Sequence, residues 1–300
     1  MTTTDLEYLI NDENLAEAAR TAFDASPDID TATASDLRPV HKGFKDFVGG
    51  DAYGVSEVAI VTILQAIASD RPVLFLPLTA LGRFQHQTLI SVKDLTVDEL
   101  AGRTVGVRSW SQTTGMWVRG ILTDQYKTDL RAVNWRTYGG GHLDELPDPA
   151  WVQRAEAGAV LADDLLGGRV DFAIMGNDRP QEPQVKDVIP DAREVAEDWA
   201  AEVGFVPVNH VFGVRADLAR AHSNAILRCY DEIASRLLSR RDGENTPVME
   251  PFGFAALRPA VTAAARYAWE QDLLPRQISY DEIVDLTTSA LGVSASRLGA

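Results

Sequence analysis

The stretch Thr104-Val105-Gly106-Val107-Arg108-Ser109-Trp110-Ser111-Gln112-Thr113-Thr114-Gly115-Met116-Trp117-Val118-Arg119-Gly120-Ile121-Leu122 decides the fold class. Thr104 to Val107 has strand character and runs into a short polar turn. From Gln112 to Tyr126 the apolar residues recur at helical spacing. A strand, a turn and a helix in so short a run form half of a βαβ unit. Ser109 or Ser111 is a natural N-cap for the helix. The first turn of such a helix leaves backbone N–H groups without intrahelical partners and carries the positive end of the helix dipole. Residues Ser111, Gln112, Thr113 and Thr114 add side-chain donors there. The segment therefore suits a carboxylate or a phosphate. The same features also serve ordinary capping, which every helix needs.

The alternation continues on both sides. Upstream, strands are predicted over 6–10, 29–34, 53–60 and 72–78, with helices over 14–23, 39–48 and 61–68. Residues 86–92 read as an extended strand. Downstream, strands are predicted over 132–137, 170–175 and 208–214. Helices are predicted over 159–166, from about 217 to 240, over 256–274 and over 280–291. Strands alternating with helices at this pitch imply an α/β protein with mostly parallel sheets. The pattern is expected to be interrupted: domain one is residues 1–91 and 209–300, and an inserted domain two is residues 92–208. Two chain crossings then make a hinge of the kind that closes around a ligand. Residues 178–190 and 242–251 read as loops.

Composition narrows the function classes. The chain has 300 residues, 45% apolar and 24% charged, enough for two domains with their own cores. Its net charge of −16 argues against nucleic acid or an anionic membrane as partner. Residues 103–142 run against that charge, with six Lys or Arg and two Asp, a local balance of +4. An anion site is therefore sought there. The single cysteine, Cys229, excludes an intramolecular disulfide and reads as a buried structural thiol. The start of the chain lacks a basic region followed by an apolar one, so a cytoplasmic location is expected. No Walker A loop, dinucleotide fingerprint, HExxH or Gly-x-Ser-x-Gly motif is present, and no metal or cofactor is expected.

The run from Leu100 to Leu122, with Thr123-Asp124-Gln125-Tyr126 and Val133-Asn134-Trp135-Arg136-Thr137, resembles the 4,5-dihydroxyphthalate decarboxylase family. Three further segments match in the same order: Tyr53-Gly54-Val55-Ser56-Glu57, Phe84-Gln85-His86, and Phe205-Val206-Pro207-Val208-Asn209-His210. The matches span roughly residues 50 to 215. The chain departs from the family at Gly82 and Gln85, where the family carries arginines, although Arg83 stands one place along. The resemblance implies a fold of the type 2 periplasmic-binding-protein kind, two α/β domains with the site in the interdomain cleft.

It also implies a cofactor-independent lyase: a decarboxylase of a hydroxylated aromatic acid, dihydroxyphthalate-like, or of a related unsaturated acid. The partner is then a small anionic, aromatic molecule, with a homodimer left open. His86 and His210, near the two predicted crossings, are the candidate proton donors, since imidazole titrates near neutrality. Glu57 is the third catalytic candidate, though with Ser56 it could equally cap the helix that follows. Ser56, Arg83, Trp110, Ser111, Gln112, Thr113, Thr114, Arg119, Arg136 and Asn209 are the substrate-binding candidates. His142, after three glycines, is a weaker one; His41 and His222 read as structural. Two other readings share this fold: a non-catalytic binding protein for a small anion, and another lyase acting on a chorismate-derived acid. The lost basic groups near His86 point to a substrate with one carboxylate fewer, or differently placed.

Overall fold

The computed structural model describes residues 4–241 and 248–300. Residues 242–247, most of the loop expected over 242–251, and the three residues at the start lie outside the described residues. The chain divides into two compact units. Unit 1 is Met1–Gly82, Val208–Ala265 and Leu274–Ala300; unit 2 is Arg83–Pro207 and Arg266–Leu273.

The chain opens in unit 1 with β1 (Thr4–Leu9), α1 (Glu13–Asp24), β2 (Ile29–Ala34), α2 (Phe44–Gly49), β3 (Val55–Ala59), α3 (Ile60–Ala68) and β4 (Val73–Gly82). Unit 2 follows with β5 (Leu89–Ser91), β6 (Thr104–Val107), α4 (Thr113–Asp124), β7 (Asn134–Thr137), β8 (Gln153–Arg154), α5 (Leu161–Leu166), β9 (Phe172–Ile174), β10 (Lys186–Asp187) and α6 (Ala192–Val203). The chain then continues through β11 (Val208–Arg215), α7 (Ala216–Ala221), α8 (Ser223–Ser239), α9 (Phe254–Glu270) and α10 (Tyr280–Leu291).

In unit 1 the strand order is β2-β1-β3-β11-β4. β1 runs parallel to both β2 and β3, while β11 is antiparallel to β3 and β4. Every residue of β3 is buried, as befits a strand covered on both faces. α3, with all nine residues also buried, is apolar apart from Thr62 and Gln65. In unit 2 the order is β10-β5-β9-β6-β7-β8. β6 is parallel to β7 and β9, and β5 is antiparallel to β9 and β10. Ile90, Leu161, Leu165, Val170, Ala173 and Met175 pack together on one side of this sheet.

Four expectations need correction. The first unit ends at Gly82 rather than 91, because the extended run expected over 86–92 is a 3-10 turn at His86–Thr88 followed by β5, which pairs with the second sheet. Residues 266–273 belong to unit 2, where Gln271 bonds to the Met116 carbonyl and Tyr267 lies against Gly120. The helix expected from 217 to 240 breaks at His222, whose Nε2 meets Thr4 Oγ1 and whose Nδ1 meets Asp28 Oδ2, both at 3.0 Å. Finally, α6 was not expected. Its buried residues are only Ala192, Ala196, Trp199 and Ala200, too sparse an apolar stripe to stand out from the polar surroundings.

Candidate functional site

In unit 1 the chemistry gathers at the carboxyl ends of the parallel strands, where open α/β sheets take their ligands. In the β11–β3 ladder His210 faces Ala59 and Phe212 faces Glu57. Glu57 and His210 are thus diagonal neighbours across two strands, on one face of the sheet. Their side chains meet, with His210 Nδ1 2.6 Å from Glu57 Oε1. Glu57 Oε2 accepts the Asn11 N–H at 2.9 Å, just beyond the end of β1. Both carboxylate oxygens are therefore held, in a side chain only 5% exposed. The imidazole is 20% exposed, and its edge meets the Phe44 ring at 5.2 Å between centroids. A carboxylate on Nδ1 selects the tautomer and orients the ring, leaving Nε2 for a ligand. Such a ring can hold or move a proton at Nε2.

In unit 2 a cluster of polar donors, called the cradle below, forms where β6 and β9 end. The N-cap of α4 is Gln112, and it makes no side-chain capping bond. This corrects the expected cap at Ser109 or Ser111: Ser109 is buried and instead receives the Gln112 amide on its carbonyl. The Thr113 hydroxyl is buried without a hydrogen-bond partner. Arg83 spans the first turn, donating from Nη2 to Thr114 Oγ1 at 2.9 Å and from Nη1 to Asn177 Oδ1 at 3.0 Å. Its Nε has no partner. The guanidinium lies over Gly176, where a Cβ would stand 2.9 Å from Nη2. Burial pulls the Arg83 group below its ordinary value, opposed by Asp178, yet an arginine so placed stays charged at neutral pH. Uncapped amides, hydroxyls and a fixed guanidinium in one place suit a carboxylate or sulfonate. Ser111 and Gln112 are half-buried beside this turn, and Gly141 is the position at which a Cβ would meet Ser111 Oγ at 2.5 Å.

The remaining candidates fall elsewhere. His86 is 1% exposed, with Nε2 2.9 Å from Gln125 Oε1 and its ring edge on Trp199. Burial lowers its pKa, so it is neutral at pH 7, which does not suit a proton donor. Trp110, a substrate-binding candidate, is buried, donates to the Gln271 carbonyl at 2.8 Å and packs on Trp135 and Trp151. Arg119 is fully buried against it and meets no solvent. Ser56 is fully buried and donates to the Glu57 carbonyl, so it braces the strand. Asn209 is buried in β11. Arg136 lines a separate cavity of about 630 Å³ with Arg154, Arg169, Asp163 and Asp164. Burial pushes the Cys229 thiol up to about 12, in keeping with a structural role. His41 lies in the 3-10 turn Val40–Gly43 and His142 in a loop.

At position 82 the structure leaves no room for a side chain. The segment before α9 lies along β4: Leu78 bridges to Phe252, and Thr79 Oγ1 donates to the Pro251 carbonyl at 2.6 Å. A Cβ on Gly82 would stand 1.8 Å from the Met249 carbonyl oxygen. Gln85, the other departure, is fully buried and donates to the Arg83 carbonyl at 2.7 Å. Sequence reasoning missed Asn11 and Asn177. Asn11 acts through its backbone, which no residue type announces. Asn177 follows a strand end within Met175-Gly176-Asn177-Asp178, a turn signal that could have been weighed.

Among the described residues, no group of three or more His, Cys, Asp or Glu is arranged to hold a metal ion. No helix among them is long and apolar enough to cross a membrane.

No family model matches the chain. It is 24% identical over 277 residues to the 4,5-dihydroxyphthalate decarboxylase of Comamonas testosteroni, covering 85% of this chain and 82% of that protein. It is 25% identical over 173 residues to the 4,5-dihydroxyphthalate decarboxylase of Pseudomonas putida, covering 52% of this chain and 66% of that protein. Among solved structures it matches the alkanesulfonate-binding protein SsuA from Xanthomonas axonopodis pv. citri, bound to MOPS, with a TM-score of 0.50 and 12% identity over 94% of this chain and 98% of that one. The chain is thus similar to 4,5-dihydroxyphthalate decarboxylases over most of its length, on a two-unit α/β fold of the substrate-binding-protein kind.

Proposed function

We propose that this chain is a cofactor-independent carbon–carbon lyase, a decarboxylase of a hydroxylated aromatic or related unsaturated acid, with His210 as the proton donor. The single observation that carries the reading is the Glu57–His210 pair at 2.6 Å. A protein that only binds an anion has no need of an imidazole aimed by a buried carboxylate. The resemblance to two decarboxylases supports the reaction class.

The chemistry balances without a co-reactant. A hydroxyl ortho or para to the carboxyl-bearing carbon pushes electron density onto that carbon. Protonated His210 gives its Nε2 proton there, forming the new C–H bond. The bond to the carboxylate then breaks, its electron pair returns to the ring and CO2 leaves. His210 ends neutral and regains a proton from solvent, to which its ring is open. Glu57 stabilises the imidazolium before transfer and holds the ring in line. Proton transfer of this kind contributes ~10²–10⁴-fold. Within unit 2 we assign to the start of α4, with Arg83 and Thr114, the capacity to bind a carboxylate or other acidic group.

A second reading is a binding protein for a small anion. The likeness of fold to SsuA and the anion cradle of unit 2 favour it. Mass spectrometry on aromatic acids that stabilise the protein separates the two: loss of CO2 supports the lyase, and recovery of the acid unchanged supports the binding protein.

A further inference from the structure

Arg119 is buried to 0% exposure, and none of its hydrogen-bond partners is an anion. Nε donates to Gln271 Oε1 at 2.7 Å and Nη2 to the Trp110 carbonyl at 2.6 Å. The guanidinium carbon sits 3.6 Å from the centroid of the Trp110 ring. Nη1 has no hydrogen-bond partner. Asp148 is the carboxylate whose field reaches the group, but its Oδ2 already accepts Thr137 Oγ1 and Arg154 Nη2, each at 2.7 Å. The charge is therefore solvated by dipoles and a ring face, while Asp148 is engaged by Thr137 and Arg154. Burying a cation in this way is unfavourable unless something else balances it.

The position of the charge indicates what that is. Long side chains on a helix lean back toward its N-terminus. From the second turn of α4, Arg119 reaches the Trp110 carbonyl ahead of the helix and the flank of Gly115 in its first turn. A Cβ on Gly115 would stand 2.9 Å from Nη1, so glycine there admits the group. The cation thus lies beside the amides that open α4. The buried Thr113 hydroxyl, also unpartnered, belongs to the same turn.

We propose that Arg119 is a positioning residue of the anion cradle: its buried charge, set beside the first turn of α4, adds to the potential of the helix start and is balanced when an anionic group binds there. The proposal rests on reading the start of α4 as an anion site. It assigns to Arg119 the discrimination of charge rather than of shape, because a buried charge acts through the low dielectric without touching the ligand. The ligand class is a carboxylate or sulfonate, with amides and esters of the same outline rejected.

The test measures binding of benzoate and of benzamide, close in shape but not in charge, to the full chain by calorimetry, with melting curves to confirm folding. Wild type is expected to prefer benzoate. Arg119→Met is expected to lower the benzoate-to-benzamide ratio roughly tenfold, and Arg119→Lys to restore most of it. A merely structural role would weaken both ligands alike. An unchanged ratio in folded Arg119→Met overturns the proposal and leaves the cradle standing. A wild type that does not prefer benzoate overturns the cradle, and this proposal with it. If Arg119→Met does not fold, Gly115→Ala serves, since it crowds Nη1 while keeping the arginine; a wild-type ratio in that variant also overturns the proposal.

Discussion

Glu57 Oε1 stands 2.6 Å from His210 Nδ1 across two neighbouring antiparallel strands, and the second oxygen of Glu57 is held by the Asn11 amide. The carboxylate is thus fixed before it meets the ring, and the ring has one nitrogen left for chemistry. In the proposed lyase, His210→Asn lowers kcat by ~10²–10⁴-fold while leaving KM within a few-fold. Glu57→Gln, which keeps an acceptor for Nδ1 but not its charge, falls between that variant and wild type. Steady-state kinetics with circular dichroism as a folding control checks both.

Arg83 bridges Thr114 and Asn177 at the start of α4. Removing its charge with Arg83→Met is expected to weaken binding of a small carboxylate such as benzoate about 10-fold or more, the scale of a lost charge-assisted hydrogen bond. Thr114→Val removes only a neutral partner of Arg83 and costs less. If Arg83→Met binds acids as wild type does, the cradle is not the anion site.

His86 gives a prediction of opposite kind. Its turnover effect is small: His86→Asn retains kcat within about two-fold, because a buried neutral ring transfers no proton. Its stability effect depends on pH. The folded pKa is lowered by burial, so as pH falls below the ordinary value of about 6.5 the unfolded chain takes up a proton that the folded ring refuses. Stability present above that pH is lost progressively on acidification, down to the folded pKa. Urea denaturation from pH 7.5 to 5 is expected to show a steeper loss for wild type than for His86→Asn.

Gly82 abuts a backbone carbonyl, and backbone cannot rotate out of the way as a side-chain tip can. Gly82→Ala is expected to destabilise the protein by about 1–3 kcal/mol through overpacking. Urea titration reads this directly; a neutral result would mean that the segment at Met249 yields at no cost.

Much of the fold was legible because hydrophobic periodicity is local. The βα unit from Thr104 to Asp124, the strand at Ile29–Ala34 and the helix at Tyr280–Leu291 were all readable from spacing alone. The errors arose where long-range pairing decides. His86 looked extended, but its segment turns into a 3-10 helix before β5 joins the second sheet. His222 sits in a helical pattern, yet two hydrogen bonds to distant residues, Thr4 and Asp28, mark the break. The site shows the same division. Glu57 and His210 could be named from resemblance, but their contact spans 153 positions and depends on strand order. Trp110 and Arg119 read as ligand contacts in the sequence because aromatic and basic residues beside a helix start look like a binding surface. Only burial shows that they face inward.

The most direct test of the central claim uses a panel of hydroxylated benzoates and phthalates incubated with wild type and His210→Asn in D2O, with products read by mass spectrometry. Wild type should convert at least one acid to a product lacking CO2 and carrying one deuterium on the vacated carbon, and His210→Asn should form it roughly 100-fold more slowly or worse. Equal conversion by the two proteins, or an acid that binds wild type and is recovered unchanged, would contradict the account.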